Sequence, residues 1–215
     1  FNNVIYGRDI DLYINRIHCY NPLTNETLAK MAEDITEVVE DILPNQKLDC
    51  VAYGCTSGTI AAGYDVIKKK INLAKPEAEV TTPITSTIKA LNILGINKIS
   101  IFTPYTKTIN DSVIGYFEKE NISINSLTYF DIDSDLDIGK VDEAHLFDVL
   151  SKIDLADSEA LFVSCTALPV LSIINKLEKK INKIVLSSNQ TLIWDSLNAI
   201  NYKEKIDGFG KLFNS

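Results

Sequence analysis

Short β-rich runs alternate with longer amphipathic periods along the whole chain, and this alternation constrains the fold more than any other feature. Strands separated by helices build βαβ units, which lie side by side in a mainly parallel sheet covered by helices. The strand-like runs are Asp11–His18, Leu48–Tyr53, Lys98–Thr103, Ile122–Phe130, Ala160–Ser164 and Lys183–Leu186. The helical periods are Asn25–Leu43, Thr59–Ile71, Thr85–Leu94, Thr106–Glu120, Asp142–Lys152, Val170–Lys180 and Gln190–Asn201. In the first of these, Leu28, Met31, Ile35, Val39 and Ile42 form one apolar stripe. Gly95 suits a helix C-terminus because it tolerates positive φ, and Pro104 ends the strand before it. The like charges of Asp131–Asp137 predict a solvated loop.

Two segments of this pattern match each other. Asp49-Cys50-Val51-Ala52-Tyr53-Gly54-Cys55-Thr56-Ser57-Gly58 and Glu159-Ala160-Leu161-Phe162-Val163-Ser164-Cys165-Thr166-Ala167-Leu168 lie about half the chain apart. Each reads as an acidic residue, a buried strand, a small residue, Cys-Thr and then a helix. This internal repeat predicts two similar α/β lobes, with one cysteine at a strand tip in each. Ligands of such sheets bind at the carboxyl ends of the strands. A helix N-terminus beyond each cysteine is expected to favour the thiolate and lower its pKa. Thr56, Ser57 and Thr166 add hydroxyl and amide donors suited to a carboxylate or an oxyanion.

Composition narrows the partners. The chain has 215 residues with 46% hydrophobic content and a formal net charge of −8. That acidity argues against nucleic acid and against anionic lipid. No apolar run is long enough to span a membrane, and nothing N-terminal reads as a secretion signal, so a cytoplasmic protein is expected. Cys19, Cys50, Cys55 and Cys165 lack metal-ligand spacing, and no Gly-x-Gly-x-x-Gly or Walker loop is present. Neither a metal nor a nucleotide cofactor is therefore expected.

With Thr103-Pro104-Tyr105-Thr106 and Ser187-Ser188-Asn189-Gln190 added in order, the chain resembles the Asp/Glu racemase superfamily. The resemblance is to its maleate cis-trans isomerase and arylmalonate decarboxylase branch, from Tyr13 onward. It implies a cofactor-independent enzyme of two Rossmann-like lobes, each a mainly parallel four-stranded sheet flanked by helices, with the active site between them. By this resemblance Cys55 and Cys165 are the catalytic pair, and Tyr105 binds a substrate carboxylate. Three departures stand out. No Ser-Asn motif precedes Tyr13. Ala167 stands where the maleate isomerases carry Asn. Both cysteines are present, whereas the decarboxylases keep only the second. The lobes are expected at residues 1–95 and 96–189, with 190–215 packing back on the first, whose first strand is expected upstream of Phe1. Family members assemble as homodimers or larger homo-oligomers, and the same is expected here.

The expected substrate is a small dicarboxylate or an amino acid, held by Thr56, Ser57, Tyr105, Thr166, Ala167 and Asn189. Two thiols across it allow cis-trans isomerisation by thiolate addition. They equally allow aspartate- or glutamate-type racemisation by proton transfer between faces. The same residues are compatible with arylmalonate-type decarboxylation and with non-catalytic binding of a small acid. Cys19 and Cys50 are read as structural, His145 as a helix-surface residue and Trp194 as core.

Overall fold

The structure, a computed structural model, describes residues 1–155 and 157–214. Ala156 and Ser215, which fall within the expected lobe 96–189 and tail 190–215, lie outside the described residues. The chain opens with α1 (Asn2–Ile5), then α2 (Asn25–Lys30), a 3-10 turn over Met31–Asp34 and α3 (Ile35–Glu40). The first sheet holds β1 (Cys50–Ala52) and β2 (Glu79–Thr81), separated by α4 (Thr56–Ala62) and α5 (Tyr64–Ala74). After α6 (Pro83–Leu94) come β3 (Lys98–Thr103), α7 (Lys107–Lys119), β4 (Ser123–Tyr129), α8 (Asp135–Ile138) and α9 (Glu143–Leu150). β5 (Ala160–Val163), α10 (Ile174–Ile181), β6 (Ile184–Ser187) and α11 (Ser188–Ala199) complete the α/β pattern.

The second sheet is parallel throughout, in the order β4-β3-β5-β6. Ile99 pairs with Ala160 and Phe102 with Val163, while Val163 pairs with Ser187 on the other side. Ile101, Phe102, Leu161, Phe162, Val185 and Leu186 are wholly buried. Each such side chain contributes about 1.5–3 kcal/mol on leaving water. Helices cover both faces, so these strands read as continuous apolar runs, which is why the sequence located them closely.

The first sheet is narrower than expected. Among the described residues it holds two parallel strands, with Val51 opposite Val80, in place of the four the resemblance implied. Asp11–His18 forms no strand despite its alternation. Alternation supplies a buried face only where a neighbouring strand takes up the backbone, and here Tyr13 and Ile14 stay exposed while Asn15 Nδ2 donates to Val38 O at 2.9 Å. The helix expected over Thr59–Ile71 begins earlier and is divided at Gly63, whose φ of +86° breaks the α-helical run. Gly95 does cap α6, at φ +67°.

α11 returns to pack on α6, β1 and β2 while also touching β6. Its buried polar groups are matched: Thr191 meets Thr87 at 2.9 Å and Ser196 meets Thr81 at 2.8 Å. Asp195 accepts from Ser86 at 2.8 Å and from Lys89 at 2.9 Å. α6 in turn lends Ile84, Ala90 and Leu91 to the core of the second sheet. The carboxyl ends of both sheets thereby face one region.

Candidate active site

Cys55 follows β1 and sits at the N-cap of α4, where its Sγ accepts the Gly58 N–H at 3.2 Å. The Ser57 hydroxyl lies 3.9 Å from the same sulfur. These donors favour the thiolate, yet the thiol is pushed up, because burial outweighs them. A helix dipole is worth about 0.3–1 kcal/mol at an exposed end, whereas burial shifts a group by up to about 3–5 pKa units. The expected lowering is thus reversed. Gly58 is required for space: a Cβ there would stand 2.8 Å from Cys55 Sγ and 2.9 Å from Tyr53 Oη.

Cys165 is placed differently from its repeat partner. No helix follows it directly; turns fill the interval to Ile174, where α10 starts. Cys165 itself is held at φ +88°, a region costly for any residue with a side chain. Its thiol is raised from 9.0 to about 12, chiefly by burial, against opposing hydrogen bonds from the Ala167 amide and the Tyr105 hydroxyl. The Tyr105 phenol is likewise pushed well up by burial and by Cys165, so it stays protonated as a donor.

One hydroxyl ties the two cysteine turns together. Ser188 Oγ accepts from Thr56 Oγ1 at 2.8 Å and from the Cys165 N–H at 3.0 Å, joining the turn after β1 to the turn after β5. Beside it, Thr166 Oγ1 donates to Gly54 O at 2.7 Å, and Asn189 Nδ2 donates to Thr166 O at 2.9 Å. The strained turn at Cys165 is therefore fixed from both sides.

Cys55 and Cys165 line a single cavity of about 290 Å³. Thr56, Ser57, Tyr105, Thr166 and Ala167 line it with them, so these seven expected residues are brought together. Asn189 is not in the wall: it neither lines the cavity nor caps α11, whose N-cap is Ser187, and acts on the Thr166 carbonyl instead. The Thr56 and Thr166 hydroxyls are committed to protein acceptors, leaving their contribution to a ligand to backbone amides. Thr56 and Ser57 lie in the first turn of α4, whose amides have no intrahelical acceptor.

Sequence reasoning missed four residues here. Cys19, read as structural, lines the cavity, with its thiol raised to about 11 by burial and by the negative charges of Asp135 and Cys55. Asp135 turns into the wall from the acidic loop expected to be solvated. Tyr53 presents a buried hydroxyl with no hydrogen-bond partner, and Ser188 is the hub just described. Tyr53 and Ser188 lay within segments the sequence had already singled out. Outside the site, Cys50 remains in β1, His145 is an exposed helix residue stacked on Phe130, and Trp194 is half-buried at the core margin. Among the described residues no group of three or more His, Cys, Asp or Glu is placed to hold a metal ion. None of their helices is long and apolar enough to cross a membrane.

Comparison with known proteins gives this geometry its context. The family model for arylmalonate decarboxylase matches residues 21–213. The maleate isomerase of Geobacillus stearothermophilus is 26% identical over 200 residues, covering 89% of this chain and 79% of that protein. The crystal structure of the maleate isomerase Iso from Pseudomonas putida superimposes with a TM-score of 0.87 at 20% identity, covering 99% of this chain and 88% of that one. A mutant of the Nocardia farcinica maleate cis-trans isomerase with a covalently bound succinylcysteine intermediate gives a TM-score of 0.87 at 18% identity, covering 97% and 87%.

Proposed function

The chain belongs to the arylmalonate decarboxylase family, and from that premise we propose that it is a cofactor-independent isomerase converting a small cis-alkene diacid of the maleate class to its trans form. The observation that carries this reading is the pair of thiols, Cys55 and Cys165, in the wall of one small cavity. The relatives named maleate isomerase, and the succinylcysteine held by one of them, support the same chemistry.

In the proposed reaction the Cys55 thiolate adds to one alkene carbon, forming a C–S bond. The π pair moves to the neighbouring carbon, which takes the proton of the Cys165 thiol. The remaining single bond turns. The Cys165 thiolate then removes that proton, the double bond re-forms, and the C–S bond breaks to release the Cys55 thiolate. No atom or electron is gained or lost. The Gly58 amide and Ser57 hydroxyl stabilise the attacking sulfur, and Tyr105 donates to that of Cys165. The first-turn amides of Thr56 and Ser57 bind a carboxylate as charge shifts on the substrate. Ser188 and Asn189 position the Cys165 turn.

The two thiols also favour a second reading, racemisation of an acidic amino acid by transfer of an α-proton between them. We infer further that residues 1–95 with the returning tail 190–215, and residues 96–189, are the two lobes. A homodimer or larger homo-oligomer in the cytoplasm fits both the exposed apolar residues Tyr6, Ile14, Ile93 and Leu136 and the need for reduced thiols. Incubating the full chain in heavy water with maleate, aspartate, glutamate and an arylmalonate, followed by proton NMR, tests the reading. The expected result is a trans diacid with unlabelled alkene hydrogens. Deuterium at an amino-acid α-carbon points to racemisation, and a monoacid from the arylmalonate to decarboxylation. Full turnover after Cys55→Ser or Cys165→Ser removes the whole mechanism.

A further inference from the structure

The cavity is electrically one-sided. Among the described residues no Lys, Arg or His lines it, and the formally charged one in its wall is Asp135. Among the described residues the Asp135 carboxylate has no hydrogen bond or ion pair, while its backbone is fixed: its N–H donates to Asn21 Oδ1 at 3.0 Å. Nearby, the Leu23 N–H donates to Asp133 O at 2.7 Å, so the loop that carries Asp135 is tied down on the Asn21–Leu23 segment. The lysine just after this loop, Lys140, pairs with Asp137 at 2.7 Å. Cys19, in the same wall, feels Asp135 more strongly than it feels Cys55.

A second observation marks another part of the wall as an anion acceptor's complement. Tyr53 is buried, its hydroxyl has no partner, and it stands beside Cys55. A buried donor left open is costly, so this hydroxyl is suited to an acceptor brought by the ligand. The wall thus offers a donor beside Cys55 and an unpaired acceptor at Asp135.

A substrate with two carboxylates would satisfy the first and meet a like charge at the second, with no cation among the described wall residues to offset it. We propose that the substrate end facing Asp135 is a hydrogen-bond donor, and that the half-amide of a maleate-class diacid, a cis-alkene with one carboxylate and one carboxamide, is preferred to the diacid itself. The carboxamide N–H groups donate to Asp135, and the carboxylate accepts from Tyr53. A carboxamide also keeps the alkene conjugated to a carbonyl at that end, as thiolate addition requires. An ammonium group would satisfy Asp135 but lacks that conjugation. This inference rests on the isomerase reading for its chemistry, while its binding prediction stands without turnover.

The test is calorimetric binding of maleate and its monoamide to the full chain, the Asp135→Asn variant and the Tyr53→Phe variant, with turnover of each ligand followed in parallel. The expected result is about ten- to a hundredfold tighter binding of the monoamide by the parent chain. Asp135→Asn is expected to abolish or reverse that preference, chiefly by improving diacid binding. Tyr53→Phe is expected to weaken both ligands alike. Diacid binding at least as tight as monoamide binding in the parent overturns the proposal, as does an equal change in both ligands on Asp135→Asn, or no binding of either. If the diacid is isomerised without a monoamide preference, this inference fails and the isomerase reading stands. If the preference holds but no alkene is isomerised, the reverse is true.

Discussion

Replacing Ser188 by Ala removes a single oxygen and leaves two buried donors without an acceptor. Those donors are the Thr56 hydroxyl, 1% exposed, and the amide of Cys165, a residue 7% exposed. Each orphaned group costs about 1–3 kcal/mol, so the variant is expected to lose about 2–6 kcal/mol of stability. The same change frees the turn that holds Cys165 at φ +88°. Relaxation of that turn moves the sulfur, and a displacement of about 1 Å costs on the order of a hundredfold in rate. Urea unfolding with an unchanged m-value measures the first effect, and kcat/KM on maleate the second. In a Thr56→Val background one of the two donors is already gone, so the cost of Ser188→Ala is expected to fall by that donor's share, about 1–3 kcal/mol. A single variant within about 0.5 kcal/mol of the parent, with its rate retained, refutes the role assigned to this hydroxyl.

Gly58→Ala should raise helix propensity by roughly 1 kcal/mol yet abolish turnover, because the new methyl group stands 2.8 Å from the Cys55 sulfur. Circular dichroism and an activity assay separate the two effects. Burial raises the Cys55 thiol, so kcat/KM is expected to keep climbing through about pH 9 without levelling off as the thiolate forms; a flat profile contradicts its role as nucleophile. Stability is expected to move the other way. Cys165 holds its proton up to about 12 when folded but near 9.0 when unfolded, so stability present below that lower value is lost as pH rises between the two. Cys165→Ala should lessen the loss measured by unfolding at about pH 8 and about pH 10.5, and an equal loss in the variant counts against the burial argument.

The second sheet was legible because β3, β5 and β6 are covered on both faces and so announce themselves as apolar runs. The first sheet was not. β2 has only Glu79, Val80 and Thr81 to signal it, and the alternation of Asp11–His18 carried no information about whether a neighbouring strand existed. Within the site, the internal repeat singled out Cys55 and Cys165, and both line one cavity. It misjudged their surroundings, since a helix directly follows only Cys55 and burial overrides the dipole. Asp135 was hidden for a different reason. A run of acids reads as solvated, and which of its members turns inward is decided by the backbone bond to Asn21, far away in sequence.

Cooperation of the two sulfurs on one substrate is tested most directly by trapping the adduct. The Cys165→Ser chain, incubated with maleate and digested for mass spectrometry, should retain one substrate mass on the peptide containing Cys55. The Cys55→Ser chain should carry none. No adduct in the first variant, or an adduct on the Cys19 peptide in its place, would contradict the assignment of nucleophile and proton donor.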